Sequence, residues 1–258
     1  PPFTFGLTQL ASNITIASSA SAAATEDLVF WMGIDNFYVY AGQTAQLPCS
    51  VKEKVFLDFN TEQAQKVVAG VNSEYSEVFW FYPSASSNEN DRYVIYNYGQ
   101  KIWYFGTMVR TAWIDRGIRS FPIGAGESYL FNHESGYNDD TSAMTSFIES
   151  SVIDIADGDK FHFIRRVVPD ISFAGSESSA TPSATFTIKS RNFPGTDFGD
   201  TNAGSVTRTA SSPVELFTEQ IHIRSRGRSF AFRIESTDSG TKWKLGNPRV
   251  DIRQDGRR

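Results

Sequence analysis

The 258-residue chain has a single cysteine, Cys49. No disulfide can form within it, so the fold does not depend on an oxidising compartment. With Pro48 beside it and no recognisable base, Cys49 reads as a small buried apolar residue rather than a nucleophile. Histidine is nearly as scarce: His133, His162 and His222 are the only three, and none lies in a catalytic context. There is no glycine-rich phosphate cradle, no zinc-ligand spacing, no Ser-His-Asp order and no metal-binding histidine pair. These absences point away from an enzyme and imply no cofactor. A glycosidase pair of carboxylates is a matter of three-dimensional separation, about 5–10 Å, and has no sequence signature. No apolar run approaches the ~20 residues a helix needs to cross a bilayer. The N-terminus shows no charged-then-apolar export pattern. The chain opens on Pro1-Pro2 without Met, as expected of a processed or partial piece of something longer.

What the chain does have is aromatic residues, 14% of the total, within an otherwise ordinary 40% hydrophobic and 21% charged composition. Aromatics suit pleated, half-buried surfaces and point to strands. After an Ala/Ser/Thr-rich stretch at 11–25, expected as loop or exposed strand, short apolar runs separated by turns begin. Leu28 to Gly33, Asn36 to Tyr40 and Ala45 to Cys49 form one set. Val78 to Tyr82, Arg92 to Tyr98 and Ile102 to Gly106 form a second. Tyr38 to Gln43 parallels Ile95 to Gln100 at an offset of ~57 residues, and Ser128 to Gly136 is a weaker third echo. Units of roughly 40–55 residues with three or four short strands are expected to be propeller-like blades. A short helix is expected near 61–70, from the Thr61 cap, Glu62 in the first turn and Gly70 at the end.

Near 136–145 the pattern changes. Longer alternating strands are expected over 148–155, 160–167, 183–190, 219–226, 229–236, 242–245 and 248–253, with a long polar loop at 191–213. Period-two alternation with frequent turns predicts a β-sandwich or jelly-roll-like domain at 141–258, after the blade region at 1–140. The expected fold class is therefore all-β.

Charge is uneven. The net charge is −5, but residues 221–258 carry ten basic against four acidic groups, +6, leaving −11 for the rest. Such asymmetry suggests a contact surface between acidic and basic regions. Arg224, Arg226 and Arg228 fall on one face of an alternating strand, with Arg233 beyond. Guanidiniums so placed seek carboxylates or phosphates. Acidic residues of a neighbouring subunit are the first expectation, a merely solvated face the second and direct DNA contact the third. Gly227 is a candidate bulge that would switch the face. Glu127, Glu134, Asp139, Asp140 and Glu149 cluster about the boundary and are candidate channel-facing acids that would keep DNA from sticking. Asp154 to Asp159 lacks the closing glutamate of a calcium loop and reads as a turn before Phe161. His133-Glu134 with Asp139 and Asp140 is a weaker cation-site candidate than a solvated loop.

Several phrases taken together resemble a known family. They are Val29-Phe30-Trp31-Met32-Gly33, Gly70 to Ser84, Asn90 to Tyr98, Arg110 to Gly117, Trp243-Lys244-Leu245-Gly246 and Asp251 to Arg258. Together they resemble the C-terminal part of structural proteins akin to the tail nozzle or DNA-stabilisation proteins of podoviruses, over nearly the whole chain. The resemblance implies a virion tail protein made in the host cytoplasm. It implies a ring of copies, commonly a hexamer, below the portal and adaptor, with fibres on its outer face and transient non-specific contact with the DNA passing through. It implies no catalytic residues. The rival readings are a receptor- or glycan-binding tail adhesin and a polysaccharide depolymerase.

Overall fold

A computed structural model describes residues 9, 11–140, 142–193, 198 and 208–256. Strand makes up 47% and helix 6%, so the protein is all-β, built from several small antiparallel sheets. The chain divides into two compact units, Pro1–Ser135 and Gly136–Arg258, just ahead of the 140/141 division expected from composition.

In the first unit, β1 (Ala22–Ala24), β2 (Val29–Met32), β3 (Phe37–Tyr40) and β4 (Thr44–Leu47) form an up-and-down sheet in chain order. A six-residue helix, α1 (Lys52–Leu57), follows. Then β5 (Val68–Asn72), β6 (Glu77–Pro83), β7 (Asn90–Asn97) and β8 (Ile102–Thr107) form a second four-stranded meander. The two sheets share one core: Phe30, Met32 and Phe37 of the first meet Val78, Trp80 and Tyr96 of the second. Phe37 lies 4.9 Å from Trp80 and 4.8 Å from Trp103, tilted as aromatic pairs prefer. Trp80 is fully buried, and its indole N–H donates to the Ser21 carbonyl (2.9 Å), so the polar end of the ring is satisfied inside the core.

A third sheet of β9 (Ala112–Ile114), β10 (Ile123–Gly126) and β11 (Tyr129–Asn132) has the order β11-β10-β9. Trp113 of β9 joins Phe79, Phe81 and Ile95 on the other face of the second meander. That is why Val78 to Tyr82 is an unbroken apolar run instead of an alternating one: both faces of β6 are covered. The third echo read in the sequence, Ser128 to Gly136, is the edge strand β11 and its exit.

The helix expected near 61–70 is a correction. Thr61–Lys66 is a 3₁₀ turn, capped by the Asn60 side chain, which accepts from the Glu62 N–H (3.2 Å). The chain then enters β5. Val67 and Val68 are β-branched and favour extended backbone, and Gly70 lies mid-strand where the Trp113 ring crosses it. The helical segment α1 had no sequence signal: its N-cap is Val51, with no side-chain cap.

In the second unit, β12 (Asn138–Asp139) and β13 (Ser142–Ala143) make a small hairpin. The main sheet contains β14 (Ser146–Glu149), β15 (Ile153–Asp154), β18 (Ser183–Arg191), β19 (Arg208–Glu215) and β21 (Ser229–Ser236). Its order is β14-β21-β18-β19, with β15 also on β21. A second sheet, order β20-β16-β23, holds β16 (His162–Val168), β20 (Ser225–Gly227) and β23 (Arg249–Gln254). A short ladder joins β17 (Ile171–Ser172) to β22 (Lys244–Leu245). Ile164 and Val167 of β16 pack with Phe186, Ile188, Phe230 and Ile234 of the main sheet in one core.

Three expectations change here. The strand at 148–155 is broken at Ser150 to Val152, where Ser150 bonds to Phe232 through both its N–H and its hydroxyl. The strand at 219–226 shrinks to β20, with Ile221 making only an isolated bridge to Val167. The loop at 191–213 ends in strand β19, whose Ser, Thr and Ala residues carry little strand propensity and pair because β18 is beside them. Its remainder at 194–197 and 199–207 lies outside the described residues, as do Arg257 and Arg258.

Candidate functional site: an arginine-bearing sheet face

The β20-β16-β23 sheet turns Ile164, Val250 and Ile252 into the core. By the two-residue period of strands, their neighbours face outward. Along β23 these are Arg249, Asp251 and Arg253. On β20 and its entry they are Arg224 and Arg226. Phe163 stands directly between Arg226 and Arg253 in the register. The register shifts between Ile164 and Arg166, and this bulge leaves Arg165 and Arg166 both exposed. Gly227 does not switch the face: alternation runs through it, with Ser225 and Gly227 buried and Arg226 and Arg228 partly open. Glycine is needed there because a Cβ would lie 2.9 Å from the Arg191 carbonyl. Arg226 lies over the Phe161 ring at 4.0 Å and Arg228 at 4.8 Å, and Arg226 pairs with Asp255.

Arg233 is elsewhere. It sits on β21, where Nη1 binds Glu149 (2.9 Å) and Nη2 binds Glu235 (2.8 Å), and its guanidinium lies over Phe147 at 4.0 Å. Lys189 also holds Glu149 (2.6 Å), and the paired charges depress the Glu149 pKa, the Lys189 hydrogen bond most of all. The carboxylates that Arg233 was expected to find on a neighbour are therefore in its own chain. Arg224, Arg226 and Arg228 do form a row as expected. Sequence reading missed Arg165, Arg166, Arg249 and Arg253, although the Arg165-Arg166 pair and the Arg249-Asp251-Arg253 alternation were visible; which strands lie side by side was not.

The candidate channel acids are distributed over both units. Glu127 and Glu134 belong to the first unit, Asp139 and Asp140 to the second. Glu127 sits in the β10–β11 turn with positive φ and is exposed. The Glu134 carboxylate accepts from Asn72 Nδ2 (3.2 Å). Burial raises its pKa, with the nearby Glu74 charge adding to the rise. Glu77 is raised likewise, by burial and then by Glu134. Asp139 pairs with Ser142 across the β12–β13 hairpin and Asp140 occupies its tight turn. His133 is no cation ligand, because its Nε2 accepts from Arg110 Nε (2.9 Å). Among the described residues no three His, Cys, Asp or Glu side chains gather into a metal-binding group. Residues 156–158 form a single 3₁₀ turn with positive φ at Ala156, Asp157 and Gly158.

A groove of about 780 Å³ in the first unit runs past Glu26, Asp27, Gly70, Tyr98, Trp113 and Asp115. Its lining holds no basic residue, nucleophile–base pair or open aromatic platform; Trp113 is stacked on Phe79 at 4.9 Å. No helix among the described residues is long and apolar enough to cross a membrane. The chain matches no family model and no curated protein sequence.

Proposed function

We propose that the chain is a non-enzymatic structural subunit of a larger assembly: the nozzle of a short-tailed bacteriophage tail, a ring of copies through which DNA leaves. The observation that supports assembly is apolar surface along sheet edges. On the edge strand β11, Tyr129 and Leu130 are 70% and 76% exposed, on opposite faces. Edge strand β8 exposes Ile102, Tyr104 and Phe105, and edge strand β14 exposes Phe147 and Ile148. Protein edges are ordinarily blunted by charge, proline or a covering element. Neighbouring exposed apolar residues on an edge strand suit a partner-binding region. In this reading the two four-stranded meanders are blade-like, the second unit is a sandwich, and the copies cover one another's edges. Portal or adaptor proteins and tail fibres are the other partners, and the place of action is the virion tail.

The particular choice of a tail nozzle comes from the sequence resemblance, and the assembly from the exposed edges. Electron microscopy of purified particles, with an antibody against this chain, tests the first. Label on a ring below the capsid is the expected result, and a tail without label ends it. Native mass measurement tests the second, where a compact monomer at micromolar concentration would refute assembly.

A further inference from the structure

We infer that the outer face of the β20-β16-β23 sheet docks the phosphate backbone of duplex DNA. Six arginines, Arg165, Arg166, Arg224, Arg226, Arg249 and Arg253, stand on or beside this one three-stranded face. Among the described residues, Asp255 is bound to Arg226 and Asp251 lies 3.9 Å from Arg253. The face keeps a surplus of positive charge in a chain whose net charge is −5. Successive outward residues on a strand are roughly 7 Å apart, so the guanidiniums form a lattice of fork-shaped donors and not a single point charge. That suits a repeating anion more than one carboxylate.

Duplex fits better than single strand because the aromatic rings here are not open platforms. Phe161 is only 7% exposed, covered by Arg226 and Arg228. Phe163, between Arg226 and Arg253, is half-buried in the sheet, so neither ring gives a base a full stacking surface and backbone contact without sequence preference is favoured. Stacking on Phe161 holds the Arg226 guanidinium in place before a ligand arrives, which lowers the entropy lost on binding. The proposal rests on the tail reading only in taking DNA as the phosphate chain. It adds a face that grips DNA to a role that otherwise needs only a passive conduit.

The test is fluorescence anisotropy of a short labelled duplex with the full chain, across about 50 to 200 mM KCl. The expected log–log salt slope is about −3.6 to −5.4, from about four to six phosphate contacts at about −0.9 each. Arg165→Glu with Arg253→Glu should weaken binding more than about tenfold and flatten the slope, while Arg119→Glu in the first unit leaves both unchanged. Asp251→Asn should tighten binding about two- to fivefold, and it decides alone if the double variant does not fold. Failure to bind at the lowest salt, indifference to these substitutions, or a strong preference for single-stranded DNA would each overturn the inference. So would loss of self-association in the double variant with duplex binding intact, since the face would then serve a second copy. A chain found in the tail ring that binds no duplex sinks this inference alone; one that binds duplex but is missing from the tail sinks the nozzle alone.

Discussion

Arg110 donates from Nε to the Nε2 of His133 at 2.9 Å, so the imidazole is held as a neutral acceptor. The histidine ring packs on Trp113, 4.6 Å between centroids, and the guanidinium lies over Phe131 at 4.1 Å. Burial and then the Arg110 charge lower the His133 pKa from 6.5 to about 4. The unfolded chain therefore binds this proton more readily than the folded one. Stability from this site is complete above pH 6.5 and is lost as pH falls toward 4. The loss is on the order of 1 kcal/mol, because the ring is half open and solvent screens it. Thermal melts of the wild type and His133→Gln between those pH values should show a steeper decline for the wild type; parallel curves would refute the neutral acceptor.

Gly70 is the residue over which Trp113 lies. A Cβ at this position would come within 2.2 Å of Trp113 Cδ1. The indole has no room to retreat, since Nε1 donates to the Val71 carbonyl (2.8 Å) and its ring is stacked on Phe79. Gly70→Ala should destabilise the first unit by about 2–3 kcal/mol through overpacking and a lost hydrogen bond. Urea unfolding followed by tryptophan fluorescence measures it, and an unchanged midpoint would mean the ring has another resting place.

The same glycine shows what the sequence could and could not disclose. At the end of a run of helix formers it resembles a helix terminator, and nothing local reveals that Trp113, far along the chain, needs the space. The hairpins β3–β4 and β7–β8 were legible, because aromatic and β-branched residues flank turns such as Ala41-Gly42-Gln43. The outward parity of Arg224, Arg226 and Arg228 was legible for the same local reason. The ion pairs of Arg233 were not, because Glu149 is brought in by the antiparallel pairing of β14 with β21. Local periodicity encodes faces. Which face meets which residue depends on strand order, and that is decided by packing.

Cys49 is partly buried, and burial pushes its thiol up to about 11, against a backbone hydrogen bond from Val51 and the Lys52 charge, both of which lower it. Only the thiolate attacks alkylating agents. At pH 8 its thiolate fraction is on the order of 100-fold below that of a free cysteine with a pKa of about 8.5. Iodoacetamide labelling followed by intact mass should be slower in the native protein by that factor, and urea should abolish the difference. Labelling at the free-thiol rate in native buffer would show that the site opens.

Leu130 tests the edge-strand reading without touching the core. It lies on β11, which pairs on one side with β10 only, and it is among the most exposed apolar residues of the first unit. The Glu127-Ser128 turn holds this hairpin with φ of 49° and 71°, so the strand is presented as an ordered edge. A lysine there leaves the fold intact, because nothing packs tightly on an open side chain, but it sets a charge on the edge a partner would cover. Leu130→Lys should melt within about 2 °C of the wild type, since surface changes cost under about 0.5 kcal/mol. It should sediment as a smaller species wherever the wild type assembles. If the variant assembles as fully as the wild type, β11 is not a contact between copies, and the exposed strands β8 and β14 become the places to substitute next.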